Sequence, residues 1–190
     1  EDIFDQKIED PYRWLEEFTS KESKDWVEKQ NALTNEYLTN PYQKRIKKEL
    51  EAIWVSDQIS VPYKKGDKTF YFFNDGKKQQ SIFMMKGCDD CEPEVLLDPN
   101  EFSKDGTISL GDVSVSPNGK KLAYSISDGG SDWRTWKVMD IETKEDQIDA
   151  IEWSKFSYAT WESDSTGFYY QKYEEPDEAL VDVNRSPELY

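Results

Sequence analysis

Val115-Ser116-Pro117-Asn118-Gly119-Lys120-Lys121-Leu122-Ala123-Tyr124 aligns without a gap on Trp161-Glu162-Ser163-Asp164-Ser165-Thr166-Gly167-Phe168-Tyr169-Tyr170, 46 residues further on. Each reads as a strand, a polar turn and a second strand with alternating apolar residues. A weaker copy, Lys65-Gly66-Asp67-Lys68-Thr69-Phe70-Tyr71-Phe72, lies 52 residues earlier and matches Phe70 to Leu122 and Phe72 to Tyr124. A period of ~40–50 residues holding about four strands is what one blade of a β-propeller requires. One blade cannot bury both faces of its sheet, so it stacks on neighbours around an axis.

Outward from the repeat, period-two patterning fills the chain after Ser56. Strands are expected at residues 59–63, 69–73, 81–85, 95–97, 107–110, 113–116, 121–126, 135–141, 158–161 and 168–172, and Leu189-Tyr190 reads as the opening of another. Lys65-Gly66-Asp67, Asn74-Asp75-Gly76, Pro117-Asn118-Gly119 and Asp128-Gly129-Gly130 supply turns between them. This is enough for about two blades and the beginning of a third, whereas closed propellers have ~4–8. The chain is therefore expected to be a partial propeller and a piece of a larger protein. Its opening, Glu1-Asp2-Ile3, has neither an initiator Met nor a signal-like apolar run, which fits the same expectation.

Before Ser56 the periodicity is helical. Asp10-Pro11 reads as an N-cap with proline at the first helical position, and Thr19 with Glu22 spells a capping box. Trp26, Val27, Leu33, Tyr37 and Leu38 form one face of the helix that follows, and Asn40-Pro41 ends it. Tyr42, Ile46, Leu50, Ile53 and Trp54 lie on one stripe of a third helix. These helices carry too little mass for a core of their own and should dock elsewhere. The expected division is a helical segment over residues 1–55 and propeller blades over residues 56–190.

Composition narrows the function classes. The apolar set is 36% of residues, or roughly 41% with the 9 glycines, which is thinner than the usual ~45–50%. Seven Trp, 11 Tyr and 9 Phe compensate with large buried areas. With 24 Lys and Arg against 40 Asp and Glu, the net charge of −16 repels a phosphate backbone, so nucleic acid is not an expected partner. No run approaches the ~20 apolar residues of a membrane span, so no membrane partner is expected either. Cys88 and Cys91 form a lone C-x-x-C without the further ligands that a tetrahedral zinc site requires. They read first as incidental loop cysteines and second as a local disulfide, and no metal or other cofactor is expected. The compartment stays open between cytoplasm and periplasm. Asn184-Arg185-Ser186 is a formal glycosylation sequon.

Asp10-Pro11-Tyr12-Arg13-Trp14-Leu15-Glu16-Glu17, followed by Trp26-Val27-Glu28-Lys29-Gln30-Asn31, resembles the N-terminal segment of the prolyl oligopeptidase family. That opening also occurs in oligopeptidase B enzymes. Val95-Leu96-Leu97-Asp98-Pro99-Asn100, Asp105-Gly106-Thr107, Ser114 to Gly119, Gly130-Ser131-Asp132-Trp133 and Lys155-Phe156-Ser157 continue the resemblance in order, in the prolyl oligopeptidase version. It covers residues 8–190. The resemblance implies a serine peptidase with a helical extension, a propeller and a C-terminal α/β-hydrolase domain, cutting short peptides after proline, with the propeller as a filter. The implied partners are a peptide substrate and the chain's own hydrolase domain.

By the same resemblance, Phe156 lines a hydrophobic subsite for a residue upstream of the cleaved bond. Asp132 lies near the domain interface beside a substrate-binding arginine of the hydrolase. Trp133 and Trp136 read as packing residues. The catalytic triad belongs to the hydrolase part. This chain has no histidine and no Gly-x-Ser-x-Gly elbow, so it supplies no catalytic residue of that kind. Two other readings stand beside this one: an oligopeptidase B-like enzyme cutting after Arg or Lys, which the acidity suits, and a non-catalytic propeller that binds a partner.

Overall fold

A computed structural model describes residues 2–147, 150–177, 182–183 and 185–190. The sequon at Asn184 lies outside the described residues. The chain divides into two compact units, Glu1–Trp54 and Val55–Tyr190.

In the first unit, β1 (Asp2–Ile3) and β2 (Gln6–Lys7) form a short antiparallel ribbon. A single 3₁₀ turn at Arg13–Glu16 precedes α1 (Lys21–Leu38) and α2 (Pro41–Trp54). The expected helix start at Asp10 is not formed. The Asp10 carboxylate accepts from the Arg13 side chain at 2.9 Å instead of from a backbone amide, and the turn ends at Glu17. The cap of α1 is Ser20 and not Thr19: Ser20 has extended backbone (φ −64°, ψ 152°), and its Oγ accepts from the Ser23 amide at 3.1 Å. Asn40 caps α2 through the Gln43 amide at 3.0 Å, with Pro41 following where its missing N–H costs nothing. The α2 stripe of Tyr42, Ile46, Leu50, Ile53 and Trp54 is between 50% and 77% exposed.

The second unit is built of antiparallel meanders. β3 (Gln58–Ile59) and β4 (Tyr63–Lys65) both pair with β5 (Lys68–Asn74), and β6 (Ile82–Lys86) and β7 (Glu94–Leu97) complete the first sheet. The single strand expected at residues 59–63 is thus two. Pro62 lies between them and has no N–H to offer the ladder.

The second sheet runs β8 (Ile108–Val115), β9 (Lys121–Asp128), β10 (Arg134–Asp140) and β11 (Ile151–Ser154). β8 joins two expected strands through a register shift between Leu110 and Val113. β12 (Thr160–Trp161) and β13 (Phe168–Tyr169) form the next hairpin, and β14 (Gln171–Lys172) pairs with β15 (Glu188–Leu189). The fold is mainly β with a helical N-terminal segment: a five-stranded and a four-stranded propeller blade and the opening hairpin of a third.

The repeat seen in the sequence is a repeat of register. Tyr63 faces Phe70, Val115 faces Leu122 and Trp161 faces Phe168 in three successive hairpins. Their turns also touch. The Gly66 amide donates to Pro117 O at 3.0 Å, and the Asn118 amide donates to Ser165 Oγ at 3.2 Å. Gly66 (φ 60°) and Gly119 (φ 70°) lie so close that a Cβ on either would come within 2.5 Å of a carbonyl oxygen of the other turn.

Alternation along β9 decides which side chain enters which interface. Leu122 and Tyr124 join Phe70, Phe83, Met85, Leu96 and Val115 in the core between the first and second blades. Ala123, on the opposite face, packs with Trp136 and Ala159 toward the third hairpin. Trp136, fully buried, fills the space that the small Ala123 leaves, and its indole N–H donates to Ser154 Oγ at 3.2 Å. The packing role read for Trp136 is what it has.

Candidate functional site

One rim of the second blade brings the two expected site residues to the same end of the sheet. β10 begins where β11 ends, because Arg134 and Ser154 are register partners. Asp132 lies two residues before the one and Phe156 two residues after the other.

The Asp132 loop is a turn that glycine makes accessible. Gly129 and Gly130 take positive φ (59° and 75°), and the Ser131 amide closes the turn on Asp128 O at 3.0 Å. Ser131 Oγ then accepts from the Trp133 amide at 3.1 Å, which sets the chain for β10. Asp132 itself stands exposed at the bend. Among the described residues its carboxylate takes no hydrogen bond and no ion pair, so it is available to a cation.

The Phe156 loop is pinned by two buried serines. Ser154 Oγ donates to Gln171 O at 2.8 Å, and Ser157 Oγ accepts from the Gln171 amide at 2.8 Å. Between these anchors Phe156 adopts φ 51° and is 72% exposed. An aromatic ring turned into solvent from a strained backbone is not the blade-core residue its apolarity alone would suggest. It borders a depression of about 260 Å³ shared with Tyr158, Tyr169, Tyr170 and Leu189. A second depression, about 540 Å³, is lined by Ile108, Ile126, Trp133 and Trp153 with Asp128 and Glu152 among its polar residues. Asp132 and Phe156 thus share a rim without sharing one pocket.

Trp133 is less simply a packing residue than the sequence suggested. Trp153 meets it edge-on at 5.4 Å, Tyr173 edge-on at 5.9 Å, and the Lys155 ammonium lies 3.8 Å from its ring centroid. In the sequence Lys155 enters only within the Lys155-Phe156-Ser157 motif, and Trp153 and Tyr173 carry no expectation, because no strand is expected over residues 151–154. The signal was the alternation Ile151-Glu152-Trp153-Ser154, short and ended by left-handed residues, Trp153 (φ 60°) and Phe156.

The second correction concerns sulfur. Cys88 and Cys91 are disulfide-bonded across the turn that follows β6, not incidental loop thiols. With only two residues between them, the two sulfurs lie close enough once the turn forms, with the Cys91 amide on Cys88 O at 3.2 Å. Beside this turn the Lys64 ammonium donates to Asp89 at 2.6 Å and holds that carboxyl below its usual range.

The rim offers aromatic surface, carboxylates and the Lys155 ammonium. Among the described residues no cluster of His, Cys, Asp and Glu could hold a metal, and no helix is long and apolar enough to cross a membrane.

Comparison with known proteins adds the following. The family described as "Prolyl oligopeptidase, N-terminal beta-propeller domain" matches residues 1–190. A prolyl endopeptidase of Elizabethkingia meningoseptica is 41% identical over 179 residues, 94% of this chain and 25% of the relative. Prolyl oligopeptidase A of Galerina marginata is 33% identical over 205 residues, 96% of this chain and 27% of the relative. Among solved structures, one from a study of two prolyl endopeptidases and their inter-domain dynamics superposes with a TM-score of 0.83 at 32% identity, covering 96% of this chain and 27% of that one. Prolyl oligopeptidase B of Galerina marginata, bound to a 35mer hydrolysis and macrocyclization substrate, gives 0.77 at 28% identity, covering 96% and 28%. The chain spans about a quarter of the length of the relatives it matches.

Proposed function

This chain belongs to the prolyl oligopeptidase family, and from that premise we propose that it is the N-terminal part of a serine peptidase that cleaves short peptides after proline. The observation that carries the reading is the match of residues 1–190 to the N-terminal propeller domain of the family, with 94% of the chain aligned to a quarter of a prolyl endopeptidase. In this reading residues 1–55 are a helical extension that packs on a C-terminal hydrolase domain through the exposed stripe of α2. Residues 56–190 are the first blades of the propeller.

Chemistry would then be divided between the two parts. The hydrolase part supplies a serine nucleophile, a histidine base and an orienting aspartate, and the peptide is split through an acyl ester. The blades contribute selection. Around a closed propeller axis there is room for an extended peptide but not for a folded protein, so the blades act as a filter. Phe156 offers apolar area to a side chain upstream of the cleaved bond. Asp132 orients an arginine of the hydrolase part, which then binds substrate by a charge-assisted contact.

The test uses the full-length protein with matched substrates ending in proline or arginine, together with a folded protein that carries a surface proline. Cleavage after proline in the peptides, sparing of the folded protein, and inactivation by a serine-directed phosphonate are expected. The net charge of −16 suits cationic substrates, so arginine preference would move the assignment to the oligopeptidase B-like branch. Absence of any hydrolysis would leave a binding propeller.

A further inference from the structure

The stretch Trp153-Ser154-Lys155-Phe156-Ser157 is held at its ends more firmly than in its middle. The Tyr173 amide donates to Trp153 O at 2.8 Å, and the hydroxyls of Ser154 and Ser157 bind the backbone of Gln171. Trp153 and Phe156 both occupy the left-handed region, at φ 60° and 51°. That conformation is unfavourable by about 1–2 kcal/mol for a residue with a Cβ, so the segment relaxes unless contacts hold it. At Lys155 the contact is with Trp133, whose ring face lies 3.8 Å from the ammonium. Trp133 follows Asp132 directly in the chain, and Lys155 directly precedes Phe156. This cation–π contact therefore links the two loops that carry the expected substrate contacts.

We propose that Lys155 is a positioning residue for substrate selection: its ammonium, seated on Trp133, ties the Asp132 loop to the Phe156 loop and fixes the direction in which Phe156 is presented. The inference rests on Phe156 being a substrate contact. The rest of the surroundings fit a locking role. Trp133 is itself wedged edge-on between Trp153 and Tyr173, so the ring that receives the ammonium is not free to follow it. Lys155 itself is half-buried, while the Phe156 ring beside it stands exposed.

The experiment measures, in the full-length enzyme, KM and kcat for two proline peptides that differ only in an apolar side chain or a glycine upstream of the cleaved bond. Lys155→Met keeps the stem and removes the charge, Lys155→Arg keeps the charge, and Phe156→Ala removes the contact. For Lys155→Met, the KM of the apolar peptide relative to the glycine peptide should rise about two- to five-fold, with the change in KM and not in kcat. Lys155→Arg should restore the wild-type ratio. Lys155→Met added to Phe156→Ala should change nothing further, because the lysine acts through the ring it positions. If Lys155→Met lowers the melting temperature, Trp133→Phe, which keeps a ring but holds a cation less well, must give the same KM signature. A wild-type ratio in Lys155→Met while Phe156→Ala shifts it overturns the proposal, as does full additivity of the two. A silent Phe156→Ala overturns it by a different route, through the subsite reading on which it stands.

Discussion

Asp98 shows how much one carboxylate does in this fold. Its oxygens accept from the Lys78 ammonium at 2.7 Å, the Asn100 amide at 2.9 Å and the Asn100 side chain at 2.7 Å, closing the turn that follows the first blade. Partial burial pushes its pKa up, yet these donors outweigh it and hold the carboxyl below its usual range. A lowered native pKa means stability present above the unfolded value and lost as pH falls through the native one. Asp98→Asn is therefore expected to cost about 2 kcal/mol near neutral pH. Hydrogen exchange of the β6 and β7 amides should show the gap between variant and wild type closing below about pH 4. The Cys88–Cys91 bridge contributes less than its covalency suggests, since it closes a loop of only two intervening residues. Replacing both by serine should lower stability by about 2 kcal/mol or less in denaturant unfolding.

Elements are specified by caps and turns, and there the predictions discriminate between neighbours. Ser20→Ala should cost α1 about 1 kcal/mol while Thr19→Ala stays within about 0.5 kcal/mol, because the Ser20 hydroxyl is the one that reaches the Ser23 amide. Amide exchange in the first turn of the helix would report it, and equal effects would contradict the cap. Gly66→Ala and Gly119→Ala each force a Cβ against a facing backbone oxygen at positive φ. Each should destabilise by more than about 1 kcal/mol, with lost protection in both the β4–β5 and β8–β9 hairpins and not only in the substituted one. Gln80 is a third tie between blades, its side-chain amide donating to Ile108 O at 2.9 Å and accepting from the Leu110 amide at 3.0 Å. None of these ties is visible to a reader of one strand at a time.

At the scale of the whole molecule, the exposed apolar stripe of α2 is what calls for a test. Ile46 and Leu50 lie at the middle of the α2 stripe. If that stripe packs on a hydrolase domain, Ile46→Glu with Leu50→Glu should lower the melting temperature of the full-length protein by several degrees, each buried aliphatic side chain being worth about 1.5–3 kcal/mol. An unchanged melting temperature would leave the stripe exposed in the whole protein as it is here.

What the residues alone determined is the architecture. Register repeats as the sequence does, at offsets of 52 and 46, because alternation of apolar side chains admits one pairing that buries them and a slip by one residue exposes them all. The two blades and the opening of a third follow from that, and the helical segment from its own 3.6-residue periodicity. Tertiary structure alone decided the rim: that Asp132 and Phe156 share an end of one sheet, that Lys155 rests on Trp133, and that two cysteines are joined. The placement of Lys155 and Phe156 depends on backbone conformations at Trp153 and Phe156 that propensity disfavours, and only the packing around them makes such conformations tolerable.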